Sequence, residues 1–299
     1  MVMISVLVLL GLGLVTATVL AVASRVFHVE EDPRVQAVLE ALPGANCGGC
    51  GFAGCEGYAT AVVKDPAIPA NRCCAGGAAT SVAVGELTGK VVAEAEPLRS
   101  FRRCDKLAGK VAKPYDYQGM PSCAAAAAVA IGGSSTCAYS CLGFGDCVQV
   151  CPFDAVEIKD GLAMINPAKC TGCGLCVEAC PRNVLELVPA RARVMVFCST
   201  QDKLKRVAEV CGVGFIKCGR CVKSCPAKAV TLENERIHIN HKLCLSYGPE
   251  CEEACAAACN RNALRVICRV SLAEAEKRAE AAPSPQEAPA GGAAAKEEA

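Results

Sequence analysis

Residues 170–181 read C-T-G-C-G-L-C-V-E-A-C-P, and nothing else in the chain constrains its folding as much. Cys170, Cys173, Cys176 and Cys180 stand three, three and four residues apart, and Pro181 follows the last. A loop of this spacing wraps three thiolates around one iron–sulfur cluster and sends the fourth to a neighbouring cluster. One such loop therefore predicts a second.

The chain carries 25 cysteines in 299 residues, far above ordinary usage. Disulfide frameworks belong to short secreted chains, whereas clustered C-x-x-C spacing points to metal. Zinc also takes C-x-x-C pairs, but four-cysteine runs closed by Cys-Pro favour iron–sulfur chemistry. With 31 basic and 30 acidic residues, nothing suggests a nucleic-acid partner. The chain has no Trp and is 4% aromatic, which argues against a large aromatic core. Cluster-bound modules do not need one, because metal binding supplies folding free energy.

Residues 1–24 carry no charge. That run is long enough to span a bilayer, which takes roughly 20 apolar residues. Ala21-Val22-Ala23 resembles a signal-peptide cleavage site, but no Lys or Arg precedes the apolar run, as a signal peptide requires. Residues 1–26 are therefore expected to be an uncleaved transmembrane anchor in contact with membrane lipid. Arg25 and Arg34 on its C-terminal side place the bulk of the chain in the cytoplasm, single-pass in a bacterial inner membrane.

A short helix is expected over 29–43, with Val35, Val38, Leu39 and Leu42 on one face and Pro43-Gly44 ending it. Cys47, Cys50 and Cys55 follow, set among Gly48, Gly49, Gly51 and Gly54. Glycines let backbone N–H groups approach a cluster closely. Cys73 or Cys74 offers the fourth thiolate of this domain, 29–80.

The order C-G-x-C-G-x-x-x-C-x-x-Y-A, then Asn71-Arg72-Cys73 and a Gly-Gly pair, behind an apolar N-terminal helix, resembles the B subunit of the Rnf complex. That resemblance implies a [4Fe-4S] cluster in the small domain, with Cys73 as its fourth ligand, and ferredoxin modules behind it. It also implies integral and peripheral Rnf-type subunits as partners and soluble ferredoxin as electron donor. NAD⁺ reduction would take place on another subunit and be coupled to Na⁺ or H⁺ movement.

Residues 81–136 read as a connecting segment, with Cys104 and Cys123 as isolated buried thiols and an alanine run over 124–130. The first ferredoxin-like module, 137–190, opens on Cys137, Cys141, Cys147, Cys151 and Pro152, a spacing that reads as loosened by insertion. Asp160-Gly161 between two alternating runs signals a hairpin. Cross-ligation groups Cys137, Cys141, Cys147 and Cys180 at one cluster, and Cys170, Cys173, Cys176 and Cys151 at the other.

Residues 151–170 and 225–244 align without a gap, with Cys, Pro, Ala, Val, Ile, Asn and the closing Cys coinciding. This internal repeat marks a second module, 191–270. Its cysteines are Cys211, Cys218, Cys221, Cys225, Cys244, Cys251, Cys255 and Cys259. Phe215 stands where the family places the first ligand, and phenylalanine cannot bind iron. One assignment recruits Cys211, grouping it with Cys218, Cys221 and Cys259, and groups Cys244, Cys251 and Cys255 with Cys225. The rival puts Cys211 in a separate site with Cys104, Cys123 and Cys198 and leaves three cysteines behind. Cys74 and Cys268 remain ordinary thiols on either view. His28, His238 and His241 sit in no cluster loop and read as surface or packing residues. The Ala-, Glu- and Pro-rich tail, 271–299, reads as disordered from 283 onward.

The expected fold class is α+β: one transmembrane helix, a small helical [4Fe-4S] domain, then two ferredoxin-like iron–sulfur modules. The best count is five [4Fe-4S] clusters. No G-x-G-x-x-G follows a strand and no P-loop is present, so the chain reads as an electron wire without a catalytic site of its own. The other readings are a polyferredoxin subunit of a hydrogenase or reductase, and a zinc-bound membrane-tethered interaction module.

Overall fold

The computed structural model describes residues 2–26, 32–92, 96–129 and 133–267, with side chains in the first helix from Leu10 onward. His28, Cys268 and the tail lie outside the described residues. α1 runs Val2–Val26 and meets its first charge at Arg25. Among the residues whose side chains are described, which in α1 begin only at Leu10, no helical stretch is long and apolar enough to cross a membrane.

The small domain is built from α2 (Pro33–Ala41), α3 (Gly54–Lys64) and α4 (Gly77–Thr88). Asp32 starts α2 by accepting the Arg34 N–H at 2.9 Å, and Pro33 takes the first helical position, where a missing N–H costs nothing. Val35, Val38 and Leu42 are buried, with Leu39 packed at their edge, against Tyr58, Ala59, Val62 and Val84. Lys90, just past α4, donates to the carbonyls of Val62, Asp65 and Ile68 at 2.6, 2.7 and 2.7 Å. One ammonium thus satisfies three acceptors at and beyond the end of α3, where the helix dipole favours a cation.

The segment read as a connector, 81–136, begins inside α4 and then holds β1 (Leu98–Arg102) and α5 (Cys123–Ala128). The first module continues with α6 (Asp146–Gln149), β2 (Val156–Lys159), β3 (Leu162–Ile165), α7 (Leu175–Glu178) and β4 (Leu185–Pro189). β2 and β3 form the expected hairpin, Lys159 opposite Leu162. Asp160 and Gly161 both take positive φ, 51° and 69°, as a two-residue hairpin turn requires. β4 pairs antiparallel with β1, from Leu98↔Pro189 to Arg102↔Leu185. The 81–136 segment is therefore no passive linker: β4 needs a partner for its backbone groups, and β1 supplies it.

The second module follows the same plan with β5 (Val194–Val196), α8 (Leu204–Val210), α9 (Arg220–Lys223), β6 (Val230–Glu233), β7 (Arg236–Ile239), α10 (His241–Tyr247), α11 (Ala254–Ala257) and β8 (Leu264–Val266). β6 and β7 form a hairpin, turning through Asn234 and Glu235 at φ 47° and 64°. β5 pairs with β8 as β1 pairs with β4. The duplication extends to single bonds: Asn166 N–H to Ala155 O and Asn240 N–H to Ala229 O are each 2.7 Å.

The modules are locked together. Phe101 meets Phe197 edge-on with centroids 5.0 Å apart, and the Arg265 guanidinium lies 4.6 Å above Phe197. Arg103, only 3% exposed, pairs with Glu186 at 3.0 Å and donates to Ile237 O of the second module at 2.6 Å. Arg265 also bridges back to Asp105 at 2.5 Å.

Candidate iron–sulfur sites

Cys47, Cys50, Cys55, Cys73 and Cys74 line one cavity in the small domain. Asn46, at φ 45°, holds the loop by accepting the Cys55 N–H at 2.8 Å. Burial raises the Cys73 thiol pKa, and Cys55, Cys47 and Cys50 add their repulsion. Cys74 also has Cys173 of the first module among its neighbours. Of the two candidates, Cys73 therefore faces the other three thiols. Tyr58 seals the floor, 1% exposed, its hydroxyl donating to Pro69 O at 3.1 Å.

In the first module Cys170, Cys173 and Cys176 face Cys151. β1 reaches this site: Ser100 N–H bonds the Cys170 sulfur at 3.3 Å, and the Ser100 hydroxyl lies 3.2 Å from the Cys176 sulfur. Ala155 N–H bonds the Cys151 sulfur at 3.4 Å. Such bonds to sulfur tune a cluster's potential.

The other site of this module differs from the expected set. Cys141, Cys147 and Cys180 line one cavity, and the fourth thiol on its wall is Cys123, not Cys137. The Asp146 carboxylate sets Cys123 in place. It accepts the N–H groups of Cys123 and Ala124 at 2.7 and 2.9 Å and the Ser122 hydroxyl at 3.0 Å. Burial opposes the Asp146 charge, but these bonds hold its pKa below the usual value. The reason lies in the spacing. Cys141 to Cys151 spans ten residues, as Cys170 to Cys180 does, and Phe144 stands where Cys173 would be. The loop keeps the regular ten-residue span with phenylalanine at its middle cysteine position, and α5 sets Cys123 on the same wall. Burial pushes the Cys147 thiol up to about 12, with Cys141, Cys123 and Cys180 adding to it.

In the second module Cys244, Cys251 and Cys255 gather with Cys225. Arg193 stands over them, its Nη2 donating to Cys244 O at 2.8 Å and lying 3.8 and 3.9 Å from the Cys244 and Cys251 sulfurs. Cys218, Cys221 and Cys259 line the last module cavity together with Phe215. Cys211 is not on its wall. Cys211 lines instead a cavity between the modules with Cys104, Cys137 and Cys198. His238 lies on β7. His241 is half-buried at the start of α10, and burial lowers its pKa.

Among the described residues no three His, Cys, Asp or Glu side chains close on a position for one metal ion. Four sulfurs around a single zinc each lie about 2.3 Å from it. A cubane instead takes one thiolate per iron, so its ligands stand further apart. The thiol-lined sites and the N–H groups aimed at sulfur fit the cubane.

Two regional families match. One, described as "Putative Fe-S cluster", covers residues 42–74, and the other, a 4Fe-4S binding domain, covers 163–186. Over 273 residues the chain is 41% identical to the B subunit of the proton-translocating ferredoxin:NAD(+) oxidoreductase complex of Clostridium ljungdahlii, covering 91% of this chain and 94% of that one. It is 40% identical to the B subunit of the ion-translocating oxidoreductase complex of Methanosarcina acetivorans, covering 88% and 97%. The chain belongs to the family of Rnf-type B subunits. A third member, from the Na(+)-translocating ferredoxin:NAD(+) oxidoreductase complex of Acetobacterium woodii, is 41% identical over 83% of this chain and 74% of its own length. The family are iron–sulfur electron-transfer subunits, and the thiol-lined sites above are the parts of this chain suited to that work.

Proposed function

We propose that this chain carries electrons from reduced soluble ferredoxin into a membrane complex that reduces NAD⁺ on another subunit and moves Na⁺ or H⁺. [4Fe-4S] clusters, when bound, supply one-electron carriers. The ligand sets are Cys47, Cys50, Cys55 and Cys73; Cys123, Cys141, Cys147 and Cys180; Cys151, Cys170, Cys173 and Cys176; and Cys225, Cys244, Cys251 and Cys255. Cys218, Cys221 and Cys259 offer three thiolates to a further cluster.

The observation that carries this reading is the contact between sites in sequence. A Cβ on Gly49 would stand 2.8 Å from Cys173 Cβ, so the small domain touches the loop of the first module. Within each module the Cys-Pro cysteine crosses to the neighbouring site, which keeps paired sites close. Cys218 is exposed, and Arg220 and Lys223 beside it are exposed as well. That basic rim suits an acidic carrier protein as the point of electron entry.

α1 is the anchor in this reading. At 1.5 Å per residue its 25 residues extend about 37 Å, enough for the hydrocarbon core. Leu10, Leu12, Leu14, Val15, Val19, Leu20 and Val22 are all more than half exposed, as lipid-facing side chains are. The bulk of the chain then lies on the cytoplasmic side of the cell membrane, against the complex's other subunits. Complex purified without this chain is expected to lose ferredoxin-dependent NAD⁺ reduction, and normal activity would sink the proposal. A chain lacking residues 1–26 should leave the membrane fraction.

A further inference from the structure

Cys104, Cys137, Cys198 and Cys211 line one cavity between the two modules. Their positions are not independent. Cys104 follows Arg103, whose N–H extends the β1–β4 ladder to Val184 O at 2.6 Å. Cys198 follows Phe197, whose N–H extends the β5–β8 ladder to Ala263 O at 2.7 Å. Cys137 stands four residues before Cys141, and Cys211 four before Phe215, the equivalent positions of the repeat.

The local bonds correspond too. Ser140 and Gly214 N–H return to Cys137 O and Cys211 O at 3.2 and 3.3 Å. Phe215 N–H reaches the Cys198 sulfur at 3.4 Å. Each module thus gives two thiols, at equivalent places of the repeat, to one shared cavity. The approach is close: a Cβ on Gly109 would run into the Cys211 sulfur.

We propose that Cys104, Cys137, Cys198 and Cys211 hold a further [4Fe-4S] cluster between the two modules. Two thiols from each module line one cavity, Cys104 buried and the other three partly so, and Phe215 N–H meets Cys198 as Ala155 and Ser100 N–H meet Cys151 and Cys170. Arg103 and Lys106 line the cavity beside Asp105 and Asp202, so cations are at hand to offset the charge of a four-thiolate cluster. The location rests on no functional reading. Its role in transfer rests on the electron-carrying function proposed above. Cys141 touches this site from one side and Phe215 from the other, and each also lines its own module's cavity. One electron arriving from the second module, which is oxidised by one, would leave for the first, which is reduced by one.

The test uses full-length chain purified anaerobically, with iron and sulfide counting and EPR of the reduced state. Cys198→Ala and Cys211→Ala are each expected to lose about four irons and four sulfides. The double variant should lose no more than either single, since both thiols serve one cluster. Single variants that keep all their iron and sulfide, a double variant that loses about eight of each, or a loss of zinc without sulfide would overturn the proposal. Should the variants fail to fold, diffraction from the wild-type protein at the iron absorption edge decides. Anomalous density bounded by the four sulfurs supports the site; its absence there, or a zinc-edge signal, refutes it. If the cluster disappears but ferredoxin-dependent NAD⁺ reduction keeps its rate, the site stands and the transfer role fails.

Discussion

At the scale of single residues, the second coordination partner matters as much as the thiol. Asp146 holds Cys123 through two N–H bonds and a hydroxyl. Asp146→Ala should destabilise the first module by about 2–3 kcal/mol, the worth of charge-assisted bonds, and reduce occupancy at the Cys141–Cys147–Cys180 site. Urea titration with parallel iron counting checks this, and full occupancy with unchanged stability would count against Asp146 as the residue that places Cys123. Cys123 is half legible in the sequence. The ten-residue offset from Cys141 to Cys151, with Phe144 in the gap, is present there. It is hidden because Cys137 lies close enough to be taken for the missing ligand. Phe215 marks the same kind of vacancy in the second module, and there the substitution is visible. What no spacing reveals is that β1 and β5 each deliver a cysteine one residue beyond the ladder, because strand partners far apart in sequence decide it.

At the scale of elements, the hairpins, the α2 face and the repeat are all readable from local pattern, since turn chemistry and periodicity act over a few residues. The pairing of β1 with β4 is not, because nothing local in Leu98–Arg102 names a partner about ninety residues away. Lys90 makes a local prediction. Lys90→Met leaves three carbonyls at and beyond the end of α3 without their shared donor and should lower the stability of the small domain by about 2–3 kcal/mol. Thermal melts should show this while the EPR signals of the two modules persist, and an unchanged melt would deny the clamp. Gly49 sits at the contact between small domain and first module. Gly49→Leu has backbone and Cβ of Cys173 in its way, at 2.8–3.1 Å, so the two must move apart. All clusters should load, but electron arrival at the small domain, followed by stopped flow, should slow. An unchanged rate would mean that electrons do not pass there.

Across the whole molecule, the buried thiols set a pH dependence. Burial pushes Cys104, Cys147 and Cys255 up to about 12, and Cys137 and Cys221 up to about 11, from an ordinary 9.0. In metal-free chain the unfolded state therefore loses its thiol protons first as pH rises. Folded-state stability is intact below pH 9 and falls as pH climbs from 9 toward 12. Loaded chain, whose thiols are already deprotonated on metal, should show a smaller decline. Anaerobic urea midpoints across that range, with and without chelator, measure the difference, and parallel curves would contradict it. The pairing of β1 with β4 has a consequence for synthesis. The helices and core of the small domain lie within residues 33–92, so it can finish early. β1 must wait for β4, and Ser100 cannot reach Cys170 until both have emerged. During that interval the nascent first module presents reduced, unligated thiols to its surroundings. Oxygen reaching them then can drive cysteines up the oxidation ladder before iron arrives, so the vulnerable form of this protein is the half-made chain, not the finished one.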